Sequence, residues 1–148
     1  MDEHPSLRRA VFALIGAVEV FGAVTFLLGA ALHVGARLAV GSVVIAEPRI
    51  VDATVVESLC ALGLVVSAYA VLARRAWAWP AVLAAHAFAA AGVLLGMAAL
   101  AAGLGPQSTL NYVYHRVMLV LLLAGLVLLS TPIAQAALGH REGTMRAG

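Results

Sequence analysis

The sequence predicts an all-α integral membrane protein: a four-helix antiparallel bundle with both termini in the cytoplasm. Three observations carry that reading. Of the 148 residues, 64% are hydrophobic and only 11% charged, with a mean hydropathy of +1.03; a water-soluble domain carries about 25% charged residues. Four apolar runs each reach the ~20 residues that one bilayer crossing needs. Arginine, which supplies all nine basic residues, is unevenly placed. Arg8, Arg9, Arg74, Arg75, Arg141 and Arg146 fall on one side of such a bundle, and Arg37, Arg49 and Arg116 on the other. The positive-inside rule puts the richer side in the cytoplasm of a bacterial-type inner membrane.

The first span covers about 10–34. Arg8 and Arg9 precede it as in a signal peptide, but the apolar run outlasts the usual 7–15 residues of a signal core, so it reads as a retained helix. A loop over 35–50 follows. There Leu38-Ala39-Val40 and Val43-Val44-Ile45 flank Gly41-Ser42, a pattern suited to a small hairpin, and Glu47-Pro48 ends any regular element. The second span, about 51–73, stops at Arg74-Arg75. The third, about 77–102, carries Pro80 in its first turn, where a missing N–H costs little. Gly103 to Pro106 breaks it. Ser108 or Thr109 can cap the fourth helix, which crosses at about 113–133, and Pro132 either kinks that helix or marks its exit.

A charge at mid-membrane costs about 2.5–3.5 kcal/mol even on the lenient insertion scale, so ionisable residues inside the spans face the interior, pair or become neutral. At 1.5 Å rise per residue, Glu19 in the first span and His86 in the third both lie roughly 13 Å from the cytoplasmic end. They form a candidate inner pair that can relay protons. Near the opposite end, His33 closes the first helix, Glu57 lies one turn into the second and His115 begins the fourth. Asp52 and Asn111 stand just above them. Two imidazoles and a carboxylate are a familiar ligand set for zinc or iron, which makes His33, Glu57 and His115 metal candidates. No HxxxH or ExxH supplies two ligands from one helix, however. The other reading is a polar mouth for a quinone headgroup, a lipid headgroup or a small substrate, with His33, Glu57 and His115 as hydrogen-bonding groups and Tyr112 or Tyr114 alongside.

The remaining features point to packing. Gly16, Gly22, Gly29, Gly92, Gly96 and Gly125 mark close helix contacts. Cys60, the lone cysteine, excludes an intrachain disulfide and a thiolate zinc cluster, and reads as a buried inert thiol. A formal charge of +2 gives no footprint for nucleic acid.

The run Gly22-Ala23-Val24-Thr25-Phe26-Leu27-Leu28-Gly29-Ala30-Ala31-Leu32-His33 resembles the first helix of DoxX-like four-helix membrane proteins. The long first loop and Val55-Val56-Glu57-Ser58-Leu59 resemble that group as well. The resemblance implies a four-span layout and association with a membrane oxidoreductase that delivers electrons to quinone. Separately, Glu19-Val20-Phe21-Gly22 is similar to the Glu-Val-x-Gly motif of small multidrug resistance transporters, whose glutamate exchanges protons for cationic drugs. The long first loop and a third helix poor in aromatics depart from that family. Three functions are therefore expected: a quinone- or small-ligand-binding subunit with a membrane redox partner, a homodimeric proton-coupled transporter using Glu19, or a structural accessory subunit.

Overall fold

The computed structural model describes residues 5–105 and 108–139. Its order is α1 (Pro5–His33), β1 (Arg37–Val40), β2 (Val43–Ala46), α2 (Val51–Leu72), α3 (Ala78–Ala101), α4 (Thr109–Leu129) and a short α5 (Pro132–Ala137). Four of the helices are long and apolar enough to cross a membrane. Arg141 and Arg146, used above for orientation, and Pro106 lie outside the described residues.

Helix α1 begins at Pro5 rather than near 10. Proline suits a first helical position, and the polar turn that follows contains no breaker. Arg8 Nη2 also donates to the Ala136 carbonyl at 2.5 Å, tying this turn to α5. With 29 residues α1 is about 43 Å long, more than the ~30 Å of hydrocarbon in a bilayer. Its ends therefore project.

The loop does form a hairpin. Strands β1 and β2 pair antiparallel from Arg37↔Ala46 to Val40↔Val43. Gly41, first in the two-residue turn, takes φ 59°, which an L side chain rarely adopts. The loop is fastened at its base. Ile50 N–H donates to the His33 carbonyl at 3.1 Å, and the Arg49 guanidinium lies where a Cβ on Gly35 would stand.

Ser108 is the cap of α4: its hydroxyl oxygen accepts from Asn111 N–H at 3.0 Å, and its O–H lies 2.9 Å from both oxygens of Glu47. One side chain thus joins the end of the hairpin to the start of α4. Helix α4 stops at Leu129, earlier than expected. Ser130 and Thr131 break it, Thr131 caps α5, and Pro132 is the first residue of α5. Pro132 marks an exit and a new helix rather than a kink.

Successive helices pack on one another, α1 on α2, α2 on α3 and α3 on α4, while α5 packs on α1. Helices α1 and α4 meet more loosely, through an edge-on contact of Phe26 with Tyr114 at 6.2 Å. The interior holds two apolar clusters, one around Phe26, Leu64, Val93 and Leu122, the other around Ile15, Val71, Val82 and Leu129. Outward faces are apolar too, with Phe21, Val24, Leu62, Leu95, Val120 and Val127 exposed. Among the described residues six polar ones, Glu19, His33, Glu57, Ser67, His86 and Asn111, are buried. Polar groups inside and apolar ones outside are what a lipid solvent demands.

Candidate functional site

The buried polar residues gather at two levels. The first lies between the two apolar clusters, and every long helix contributes one position to it. Glu19 falls between Ile15 and Ala23 on α1, Ser67 between Leu64 and Ala70 on α2, His86 between Val82 and Ala89 on α3, and Gly125 between Leu122 and Leu129 on α4. Glu19 is fully buried. Its Oε1 stands 3.0 Å from His86 Nδ1, and its Oε2 accepts the Ser67 hydroxyl. With Nδ1 protonated, the His86 N–H is aligned on the Val82 carbonyl 3.2 Å away, so Glu19 Oε1 is close to the ring but has no aligned donor. A Cβ on Gly125 would lie 2.5 Å from His86 Nε2. The glycine makes room for the imidazole ring itself.

The second level lies at the hairpin end. Glu57 is buried against α1, where a Cβ on Gly29 would come within 2.7 Å of its carboxylate. His33 Nε2 is 4.0 Å from Glu57 Oε2, too long for a hydrogen bond, and His33 Nδ1 is 3.2 Å from the Pro48 carbonyl. His115 Nδ1 is bonded to the Asn111 carbonyl at 2.9 Å, which turns Nε2 toward Gly96, where a Cβ would collide with it. Gly29, Gly96 and Gly125 thus mark close helix contacts, and what each admits is a polar side chain of the neighbouring helix.

These groups wall a cavity of about 210 Å³ between α2, α3 and α4. Its polar lining is His33, Asp52, Glu57, Asn111, Tyr114 and His115; Val56, Val93, Ala99 and Leu100 are among its apolar walls. A smaller cavity of about 130 Å³ on the α1 side shares His33, Glu57, Asn111 and Tyr114. Two buried polar atoms on this shared wall, Glu57 Oε2 and the Tyr114 hydroxyl, have no hydrogen-bond partner. Buried groups left so are few in native proteins.

His33, Glu57 and His115 therefore come to one cavity, and Glu19 and His86 come into contact. Tyr112 does not join them. It is exposed and carries the Arg116 guanidinium 3.9 Å over its ring, while Tyr114, two positions on and so on the other face of α4, lines the cavity. Among the described residues no three His, Cys, Asp or Glu side chains, His33, Glu57 and His115 included, converge as a metal-binding set. Cys60 is buried and free.

No family model, curated protein or solved structure matches this chain. The site stands on its own geometry.

Ser67 escaped the sequence reading, although the depth arithmetic that paired Glu19 with His86 reaches it as well. Counted back from the end of α2, it falls within two turns of the same level. Its signal is weak because a serine in a membrane helix commonly bonds its own backbone, and Ser67 also lies 3.0 Å from the Leu64 carbonyl.

Proposed function

We propose that this protein binds the head of a small lipid-soluble molecule, a quinone by class, in the cavity beside Glu57, Tyr114 and His115. In this reading it is an antiparallel four-span protein of a bacterial-type cytoplasmic membrane, termini inside, associated with a membrane oxidoreductase. The observation that carries it is the pair of unpartnered buried groups on one cavity wall, Glu57 Oε2 and Tyr114 OH. They are complementary in role. A phenol O–H can donate to a quinone carbonyl, and a carboxylate can accept from a hydroquinone hydroxyl, so the same wall serves both redox states. Drug-sized ligands occupy about 300–1,000 Å³. A cavity of about 210 Å³ suits one ring, with any tail left in the lipid. The motif resemblance to DoxX-like proteins points to the same setting.

Titration of the purified protein with a short-chain quinone tests this. Tyr114→Phe removes one hydrogen bond, worth about 0.5–1.5 kcal/mol, and is expected to weaken binding two- to tenfold. Glu57→Gln is expected to weaken the hydroquinone more than the quinone. No saturable binding, or equal binding by both variants and the wild type, contradicts the reading.

A second reading, proton-coupled transport, draws on the Glu19–His86–Ser67 node and the cavity of about 170 Å³ that reaches it between α1 and α4. Glu19→Gln separates the two. It abolishes transport coupled to protons and leaves quinone binding at the hairpin end unchanged. If neither activity responds to any of these changes, the chain serves as a scaffold.

A further inference from the structure

Helices α1, α3 and α5 are each closed by a glycine in the left-handed region: Gly35 at φ 101°, Gly103 at 73° and Gly139 at 74°. That is the ordinary chemistry of a helix end. Helix α2 ends in the same way, with Arg75 N–H bonded to the Ala70 carbonyl at 2.8 Å and Arg74 N–H to Val71 at 2.9 Å. Yet its left-handed residue is Arg74, at φ 51°, the one non-glycine residue with positive φ among those described. A side chain is strained there, and glycine would relieve the strain.

What Arg74 does with its side chain accounts for its presence. The guanidinium lies over the Phe12 ring of α1, 4.7 Å from the centroid. With Arg8, Arg9, Pro5 and Ala137 these two residues line a cleft of about 430 Å³. An adjoining cavity of about 210 Å³ shares Arg8, Phe12 and Arg74 and adds the apolar Val71, Ala78 and Leu138. Arginines from two elements thus converge beside an apolar wall, at the end of the molecule away from the hairpin.

We propose that this cleft binds the phosphodiester headgroup of an anionic phospholipid, and that Arg74 holds its strained position because its charge completes the site. Basic pockets between helix ends at the membrane surface are suited to such headgroups. Inorganic phosphate offers the same charge, but the cleft is framed by the ends of α1 and α2, two helices long and apolar enough to cross a membrane, where lipid headgroups are the anions at hand.

The test uses the full-length protein in neutral detergent, offered phosphatidylglycerol and phosphatidylcholine at equal concentration, with retained lipid counted by native mass spectrometry and stability read by thermal melting. Phosphatidylglycerol is expected to be preferred by tenfold or more, and millimolar inorganic phosphate should fail to displace it. Arg74→Gly removes charge and strain together. It should raise the melting temperature in lipid-free detergent and cut the preference about fivefold, the weight of one arginine near an anionic surface. Arg74→Gln removes the charge but keeps the strained backbone, so the preference falls with no rise in melting temperature. Arg9→Ala should lower the preference by a similar factor. Equal retention of the two lipids, an unchanged preference in Arg74→Gly, or displacement by inorganic phosphate would each overturn the proposal.

Discussion

Glu19 shows what one carboxylate demands of an apolar interior. One oxygen takes the Ser67 hydroxyl and the other faces His86, so three helices each surrender an apolar position to it. Glu19→Ala strands the imidazole and the hydroxyl in an apolar layer. A loss of about 1–3 kcal/mol is expected, read as a lower melting temperature in detergent. Replacing Glu19 and His86 together with leucine should recover much of that loss, because the imidazole is gone with its partner and the Ser67 hydroxyl keeps the Leu64 carbonyl 3.0 Å away as an acceptor. A double variant no more stable than Glu19→Ala would contradict this account of the node. Gly125 gives a sharper case. A Cβ there meets the His86 ring at 2.5 Å, and a ring cannot bend aside as the end of a flexible chain can. Gly125→Ala is expected to cost about 1–3 kcal/mol by overpacking. In a His86→Ala background the same change should cost almost nothing, a non-additivity that a double-mutant cycle measures.

At the scale of elements, stability at the hairpin end rests on Ser108. It caps α4 and reaches Glu47 at the end of the hairpin. Loss of a cap alone costs about 0.5–2 kcal/mol. Ser108→Ala should cost at least that and should quicken amide exchange in both β2 and the first turn of α4, whereas a cap acting alone would leave β2 unchanged. The hairpin and the cap were legible because their signals are local, Gly41-Ser42 between β-branched runs and a serine before an apolar run, whereas Pro132 after Ser130-Thr131 left a kink and an exit equally open. What remained hidden depends on which way a side chain turns. Depth arithmetic brought Glu19 to His86, but depth alone cannot choose Tyr114 over Tyr112, since the two lie only about 3 Å apart along α4 and its rotation separates them. Nor does a glycine announce whether a neighbouring helix or an imidazole will fill the space it leaves. Helix ends were misjudged by several residues for a related reason. Hydropathy marks where lipid begins, whereas α1 continues into polar residues and α4 stops inside its apolar run.

The whole molecule is organised by its solvent. Its outward faces are as apolar as its core, and its polar groups sit at two levels inside, one of them walling a cavity. The antiparallel reading with cytoplasmic termini has a direct check. In a Cys60→Ser background, Ser42→Cys at the hairpin tip should react with a membrane-impermeant thiol reagent on intact cells, and Ser6→Cys should react only after lysis. The reverse pattern would invert the orientation and move the cavity to the cytoplasmic face. The central claim, that this cavity holds the head of a lipid-soluble ligand, is tested most directly by extracting the purified protein with organic solvent and identifying what it carried by mass spectrometry. The comparison is with Ala99→Phe, which fills the cavity while leaving Glu57, Tyr114 and His115 in place. The account predicts a near-stoichiometric quinone-class molecule in the wild type and its loss from the variant. A wild-type protein that yields none, or equal amounts from both, would contradict it.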